Sequence, residues 1–258
     1  MQREVPVRSA AARFFGRSPL SEESRPWYAG ALGEIDVARR LERLGPEWTV
    51  LHAVPIGTRG SDIDHLVVGP SGVFTINTKF HEDAKVWVGS RRLLVNGQPK
   101  DHLRNARYEA DRVSKLLTSA IGDEVPVRAV IAIVAAKEIT IREQPADVAV
   151  LRSGDLSRWL RRHRPLLQPE RVAEIARTVR RRETWTSAAE TPVDAERFAA
   201  LQREVSKARG VRMLWSLGGL LALLGVTVPF ALNAFAGMLG TLVRDQSSER
   251  ASVPSQSR

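Results

Sequence analysis

Between Arg212 and Arg244 no side chain carries a charge. The run 213–243 reads MLWSLGGLLALLGVTVPFALNAFAGMLGTLV. A helix rises about 1.5 Å per residue, so about 20 apolar residues cross the hydrocarbon core of a bilayer. The run is long enough for one crossing and too short for two. Pro229 and Asn233 would permit a kink or a re-entrant hairpin. The expectation is one span near 213–235 with an interfacial remainder. Arg203, Lys207, Arg209 and Arg212 precede the run, whereas Arg244 and Arg250 follow it beside Asp245 and Glu249. That asymmetry predicts a single-pass protein of the cell membrane with its N-terminal domain in the cytoplasm.

The rest of the chain has the makings of a folded domain. Of 258 residues, 43% are hydrophobic and 26% charged, with a formal net charge of +10. Such a positive excess suits an anionic partner, either nucleic acid (DNA or RNA) or an anionic leaflet. There is no cysteine, which excludes disulfides, thiolate zinc sites and cysteine nucleophiles. Arg3, Arg8, Arg13 and Arg17 interrupt the N-terminus, and the stretch does not read as a signal peptide.

Periodicity divides the chain as follows. Residues 1–26 read as a flexible basic arm. Helical spacing of Ile35, Ala38, Leu41 and Leu44 predicts a helix over about 30–44, ended by Gly45-Pro46. Strands are expected at 48–54, 62–68 and 73–80, the last two joined at GPSG (69–72) as a hairpin. A second hairpin is expected over 85–97. A helix over about 101–119 buries Leu103, Ala106, Ala110, Val113 and Leu117. VRAVIAIVA (127–135) is apolar enough for a strand covered on both faces. A short strand at 148–151 and helices near 153–163 and 169–183 follow. In domains, 27–140 forms the α/β core, 141–183 its extension, 184–212 a linker and charged helix, 213–243 the membrane segment, and 244–258 a polar tail.

Four polar residues stand in an order that carries chemistry: Glu34 in the first helix, Asp64 in one strand, then Asn77 and Lys79 in the next. Strand side chains alternate, so Asn77 and Lys79 point the same way about 7 Å apart. Asp64, on the neighbouring strand of the hairpin, can share that face. Hydrolysis of a phosphodiester calls for a hard cation held by oxygen ligands, and Mg²⁺ (or Mn²⁺) needs only one or two protein carboxylates. In this reading Asp64 is the main ligand, Glu34 a second or water-mediated one, Asn77 a neutral oxygen ligand and Lys79 the electrostatic partner. A strand carbonyl at residue 78 could face the metal. Asp62 and Glu82 are nearby acids able to substitute. His65 alternates to the face opposite Asp64, and His52, His81 and His102 show no metal-ligand spacing. Gln98, Arg104, Asn105 and Arg107 could hold phosphates, Trp87 could stack on a base, and Arg180–Arg182 could meet nucleic acid or lipid.

The segments GALGEIDVARRLERL and DIDHLVVGPSGVFTINTK resemble the NERD (nuclease-related) domain, a branch of the PD-(D/E)xK restriction-endonuclease-like superfamily. The resemblance covers about residues 27–140. It implies a mixed sheet flanked by helices, a metal-dependent nuclease ancestry, and motif positions at Glu34, Asp64 and Lys79. The superfamily pattern has an acid two residues before the Lys, where this chain has Asn77. The expected function is therefore a membrane-anchored nuclease-like protein acting on DNA or RNA. The alternatives are a degenerate nuclease fold that binds nucleic acid or a partner at the membrane, and an interaction protein whose charge serves the leaflet alone. Oligomeric state is not legible in the sequence.

Overall fold

The computed structural model describes residues 9–56, 62–185 and 195–251, with side chains at 9–56, 62–185 and 196–229. It divides into two units: Glu22–Pro192, and the two termini, Met1–Ser21 with Val193–Arg258.

The larger unit is built on a five-stranded mixed sheet in the order β1-β2-β3-β7-β9. Its strands are β1 (Thr49–Pro55), β2 (Asp62–Gly69), β3 (Gly72–Phe80), β7 (Val127–Val134) and β9 (Val148–Arg152). β1, β2 and β3 form an antiparallel meander, whereas β3, β7 and β9 run parallel. A second sheet, ordered β6-β5-β4-β8, comprises β4 (Lys85–Val88), β5 (Leu93–Val95), β6 (Gln98–Lys100) and β8 (Glu138–Ile141). The sequence pattern predicts neither β6 nor β8. β6 has only three residues, all exposed, and β8 is half-exposed, so neither carries a run of apolar residues to announce it.

Alternation along β7 accounts for its unbroken apolar run. Ala129, Ile131 and Ile133 join the core beneath the second sheet and helix α3 (His102–Ile121). Val130 and Ala132 join the opposite core, with helices α2 (Ser24–Leu41) and α4 (Leu156–Arg162). A third cluster joins Leu66, Val68 and Val73 to Val113 and Leu117 of α3 and to Ile175 and Val179 of α5 (Pro169–Val179). α3 buries the five residues its periodicity predicts.

α2 starts at Ser24 and ends at Leu41, earlier at both ends than the expected 30–44. Its buried stripe is Gly33, Val37 and Leu41 rather than Ile35, Ala38 and Leu44. Gly33 sets this register, because a Cβ there would lie 3.1 Å from Thr78 Cγ2 and 3.3 Å from Phe80 Cβ. The helix lies against β3 at that point, and any side chain there would force Thr78 or Phe80 to give way by a few tenths of an ångström. The expected helix over 169–183 stops at Val179, followed by a 3₁₀ turn at Arg182–Thr184.

In the smaller unit, α1 (Ala10–Phe14) forms a short helix within the stretch expected to be a flexible arm. Ser9 caps it by accepting a hydrogen bond from the Ala12 N–H at 3.1 Å. The charged and apolar C-terminal segments form one continuous helix, α6 (Ala195–Ala251), which passes through Pro229. Its stretch Glu196–Pro229 is long and apolar enough to cross a membrane, and none of the apolar window is buried. Of the linker expected from 184, Thr184 and Trp185 are instead buried in the larger unit, and residues 186–194, like the tail beyond 251, lie outside the described residues.

Candidate active site

The site lies where the larger sheet forks. The β2–β3 ladder runs from Gly69↔Gly72 to His65↔Ile76 and stops there. Beyond it β2 continues along β1 to Pro55↔Asp62, and β3 continues along β7 to Phe80↔Val134. Asp64 sits at the fork and takes over part of the lost pairing, because its Oδ2 accepts the Thr78 backbone N–H at 2.5 Å. Opposite it on β1, Ala53 has φ of 51°, a left-handed conformation that costs a residue with a Cβ.

Asn77 and Lys79 lie on the α3 face of β3, as their spacing predicts. Asn77 is 6% exposed. Its Nδ2 donates to both carboxylate oxygens of Glu109 on α3, at 2.7 and 2.8 Å. An ionised carboxylate only accepts, so the amide must turn its nitrogen toward Glu109. Its Oδ1 is left buried with no hydrogen-bond partner among the described residues. Buried carbonyl-type oxygens are ordinarily paired, so this one keeps its accepting capacity for a group that the described residues do not supply.

Glu34 comes from α2, on the other side of the sheet. Its side chain keeps an open side to solvent, yet its carboxyl feels the acids at the fork. Burial first, then Asp64 and Asp62, push it up to about 7, while Lys79 pulls it back. Burial also raises Asp64, opposed by the Thr78 N–H and Lys79 and reinforced by Asp62. Glu109 is raised by burial and by Asp64 and Asp62, with Asn77 and Lys79 acting against the rise. Four acids from two helices and one strand therefore share one electrostatic neighbourhood with one lysine. Asp62 belongs to it. Glu82 is exposed and has no part in these interactions.

Glu109 is the residue that sequence reasoning misses. It lies on α3, 32 residues after Asn77, and no short motif links the two. A signal did exist. Glu109 lies three residues after Ala106 and four before Val113, along the edge of the buried stripe, where a solvated acid is out of place.

Beside the site, a cavity of about 330 Å³ is lined by Ile56, Asp62, Arg104, Asn105, Tyr108 and Glu109. Tyr108 is 64% exposed. Of the other expected phosphate contacts, Arg104 pairs with Asp101 at 2.9 Å while lining the cavity. Arg107 is committed to Asp147 at 2.6 Å, and Arg180 donates to Thr49 Oγ1 at 3.1 Å. Gln98 and Trp87 are exposed on the second sheet, away from this lining.

The histidines pair in a way their spacing does not foretell. His52 and His65 meet across β1 and β2, Nδ1 to Nδ1 at 2.7 Å. His81, past the end of β3, meets His102 at the start of α3, Nε2 to Nε2 at 3.1 Å. Their ring centres are 5.3 Å apart with planes tilted 27°, so the rings meet head to head and one N–H donates to the other nitrogen.

The donor set suits a hard cation. Asp64, Glu34, Glu109 and the orphaned Asn77 Oδ1 all offer oxygen, the preference of Mg²⁺ and Mn²⁺. Among the described residues, no three His, Cys, Asp or Glu side chains close on one point. Mg²⁺ does not need such a cage, since it keeps several waters and takes one or two carboxylates.

The family model for the nuclease-related domain, NERD, matches residues 29–134. That span runs from α2 through β7 and holds Glu34, Asp64, Asn77, Lys79 and Glu109. No curated protein and no solved structure matches the chain. With Glu34, Asp64, Lys79 and the strands β1, β2, β3 and β7 inside the matched span, residues 29–134 match the nuclease-related (NERD) domain.

Proposed function

We propose that this protein is a membrane-anchored, Mg²⁺- or Mn²⁺-dependent nuclease in which Glu109 of α3 replaces the acid missing at Asn77. The observation that carries this reading is the Asn77–Glu109 contact. It brings a carboxylate to the side chain where the superfamily pattern has its own, and it leaves Asn77 Oδ1 buried and unpaired.

Asp64 is the principal ligand, supported by its place at the fork and its anchoring to the Thr78 N–H. Asn77 Oδ1, Glu34 and Glu109 supply the rest of the protein's oxygens. A bound cation would polarise the phosphate and lower the pKa of a water. Lys79 stabilises the negative charge that builds on phosphorus. Raised carboxyl groups at Glu34 and Glu109 are what four crowded acids produce without a cation, and a divalent ion would relieve them. The adjoining cavity suits a nucleic acid strand, with Arg104 and Asn105 for phosphate and Tyr108 for a base. The apolar stretch of α6 spans the membrane, and the basic flank ending at Arg212 keeps the catalytic unit cytoplasmic.

One observation favours a second reading. Asn77 brings no charge of its own, so a fold that binds nucleic acid without cutting it is the alternative. Full-length protein in nanodiscs, incubated with single- and double-stranded DNA and with RNA, separates the two. Cleavage that requires Mg²⁺ or Mn²⁺ and disappears in Asp64→Ala and Lys79→Ala supports the nuclease. Salt-dependent binding without cleavage supports the alternative. Cleavage unchanged in both variants would overturn the site.

A further inference from the structure

The smaller unit holds a feature that the nuclease reading does not use. α1 ends in Phe14 and Phe15, and both rings lie against Trp215 of α6. Ring centroids are 5.0 Å apart for Phe14–Trp215, 5.1 Å for Phe14–Phe15 and 5.8 Å for Phe15–Trp215. Trp215 Nε1 donates to the Phe14 carbonyl at 2.7 Å. The following turn is fixed to the helix by Gly16. Its φ is +64°, and a Cβ would lie 2.6 Å from the Ala208 carbonyl oxygen and 2.8 Å from the Arg212 nitrogen. The segment is thus built onto α6, yet Phe14 and Phe15 remain 58% and 60% exposed and Trp215 47%. Three clustered aromatic rings held open to water need an apolar or interfacial medium to cover them.

Their level on the helix says which medium. Arg212 is the last charged residue before the uncharged run, and Trp215 is less than one helical turn beyond it. On the other side of that boundary along α6 lie Arg203, Lys207, Arg209 and Arg212, with Glu204 3.4 Å from Lys207. Aromatic side chains concentrate at the headgroup level of a membrane, and clustered basic residues beside them select anionic lipid.

We propose that α1 and Trp215 form an interfacial clamp, in which Phe14, Phe15 and Trp215 seat in the headgroup layer of an anionic leaflet where α6 enters it. The clamp rests on the membrane reading of α6, and it makes the N-terminal segment a second membrane contact. It fixes the depth of the helix and limits its sliding and tilt.

The absence of cysteine makes the test clean. Full-length Ala11→Cys, Phe14→Cys and Leu221→Cys proteins carry a nitroxide label in nanodiscs of phosphatidylcholine and phosphatidylserine. Depth is read from collisions with oxygen and with a water-soluble nickel chelate. The expected result is a label at 221 deep in hydrocarbon, and labels at 11 and 14 shielded several-fold from nickel at headgroup depth. Shielding at 11 and 14 should weaken in phosphatidylcholine alone, and at 11 also in the Phe14→Ser/Phe15→Ser background. Labels at 11 and 14 as nickel-accessible as in water, with 221 deep, would overturn the clamp while leaving the span intact. A label at 221 in water would overturn both. Shielding at 11 that changes neither with the lipid nor in the Phe14→Ser/Phe15→Ser background would mean that protein rather than lipid covers the segment, and would also overturn the clamp.

Discussion

The residue on which the proposed chemistry turns is an amide. Asn77 lacks the charge of a carboxylate, but its two ends do different work. The nitrogen is committed to Glu109 and the oxygen is left buried and unpaired. Removing the Glu109 charge should cost at least about tenfold in cleavage, the low end for a residue supporting a metal site. A metal-activated assay of Glu109→Gln checks this. A separate effect belongs to His102, whose basicity is held down to about 4, first by burial and then by Lys79, His81 and Lys100. The folded protein therefore resists protonating it. Stability present above the ordinary value of 6.5 is lost as pH falls toward about 4. His102→Gln keeps an amide able to donate to His81 and carries no titration. Its melting temperature should fall less than wild type's between pH 7 and pH 4.5. Strand spacing put Asn77 and Lys79 on one face, and the resemblance to the nuclease-related family marked the missing acid at Asn77. The sequence hid Glu109 and the histidine pair, because only the packing of α3 on β3 joins residues so far apart.

At the scale of elements, two close packings position the site. Gly33 lets α2 lie on Thr78 and Phe80, which brings the next residue, Glu34, toward the fork. Gly33→Val should overpack this contact and cost about 1–3 kcal/mol, with a drop of several degrees in melting temperature. Cleavage measured well below that temperature should fall as well, because Glu34 is displaced. Thermal melts and activity at low temperature separate the two effects. The elements were largely legible where one face is apolar: α3 buries the residues its periodicity picks out, and β7 is covered on both faces. They were not legible in β6 and β8, which have no buried face to mark them. In α2 only Leu41 of the expected stripe is fully buried, because Gly33, which has no side chain to mark it, belongs to the buried face.

For the whole molecule, the uncharged run of α6 is the strongest signal, and it depends on length and charge alone. The full chain should sediment with membranes and stay there at high salt, whereas a chain ending at Arg212 should be released by salt. Fractionation with immunoblotting reads both. The central claim concerns the other unit: a metal site whose acid has moved from β3 to α3. It is tested most directly by moving the acid back. Metal-dependent cleavage should be lost in Glu109→Gln and recovered in the double variant Asn77→Asp/Glu109→Gln, where the amide on α3 donates to a carboxylate on β3. Wild-type cleavage in Glu109→Gln, or no recovery in a folded double variant, would contradict the account.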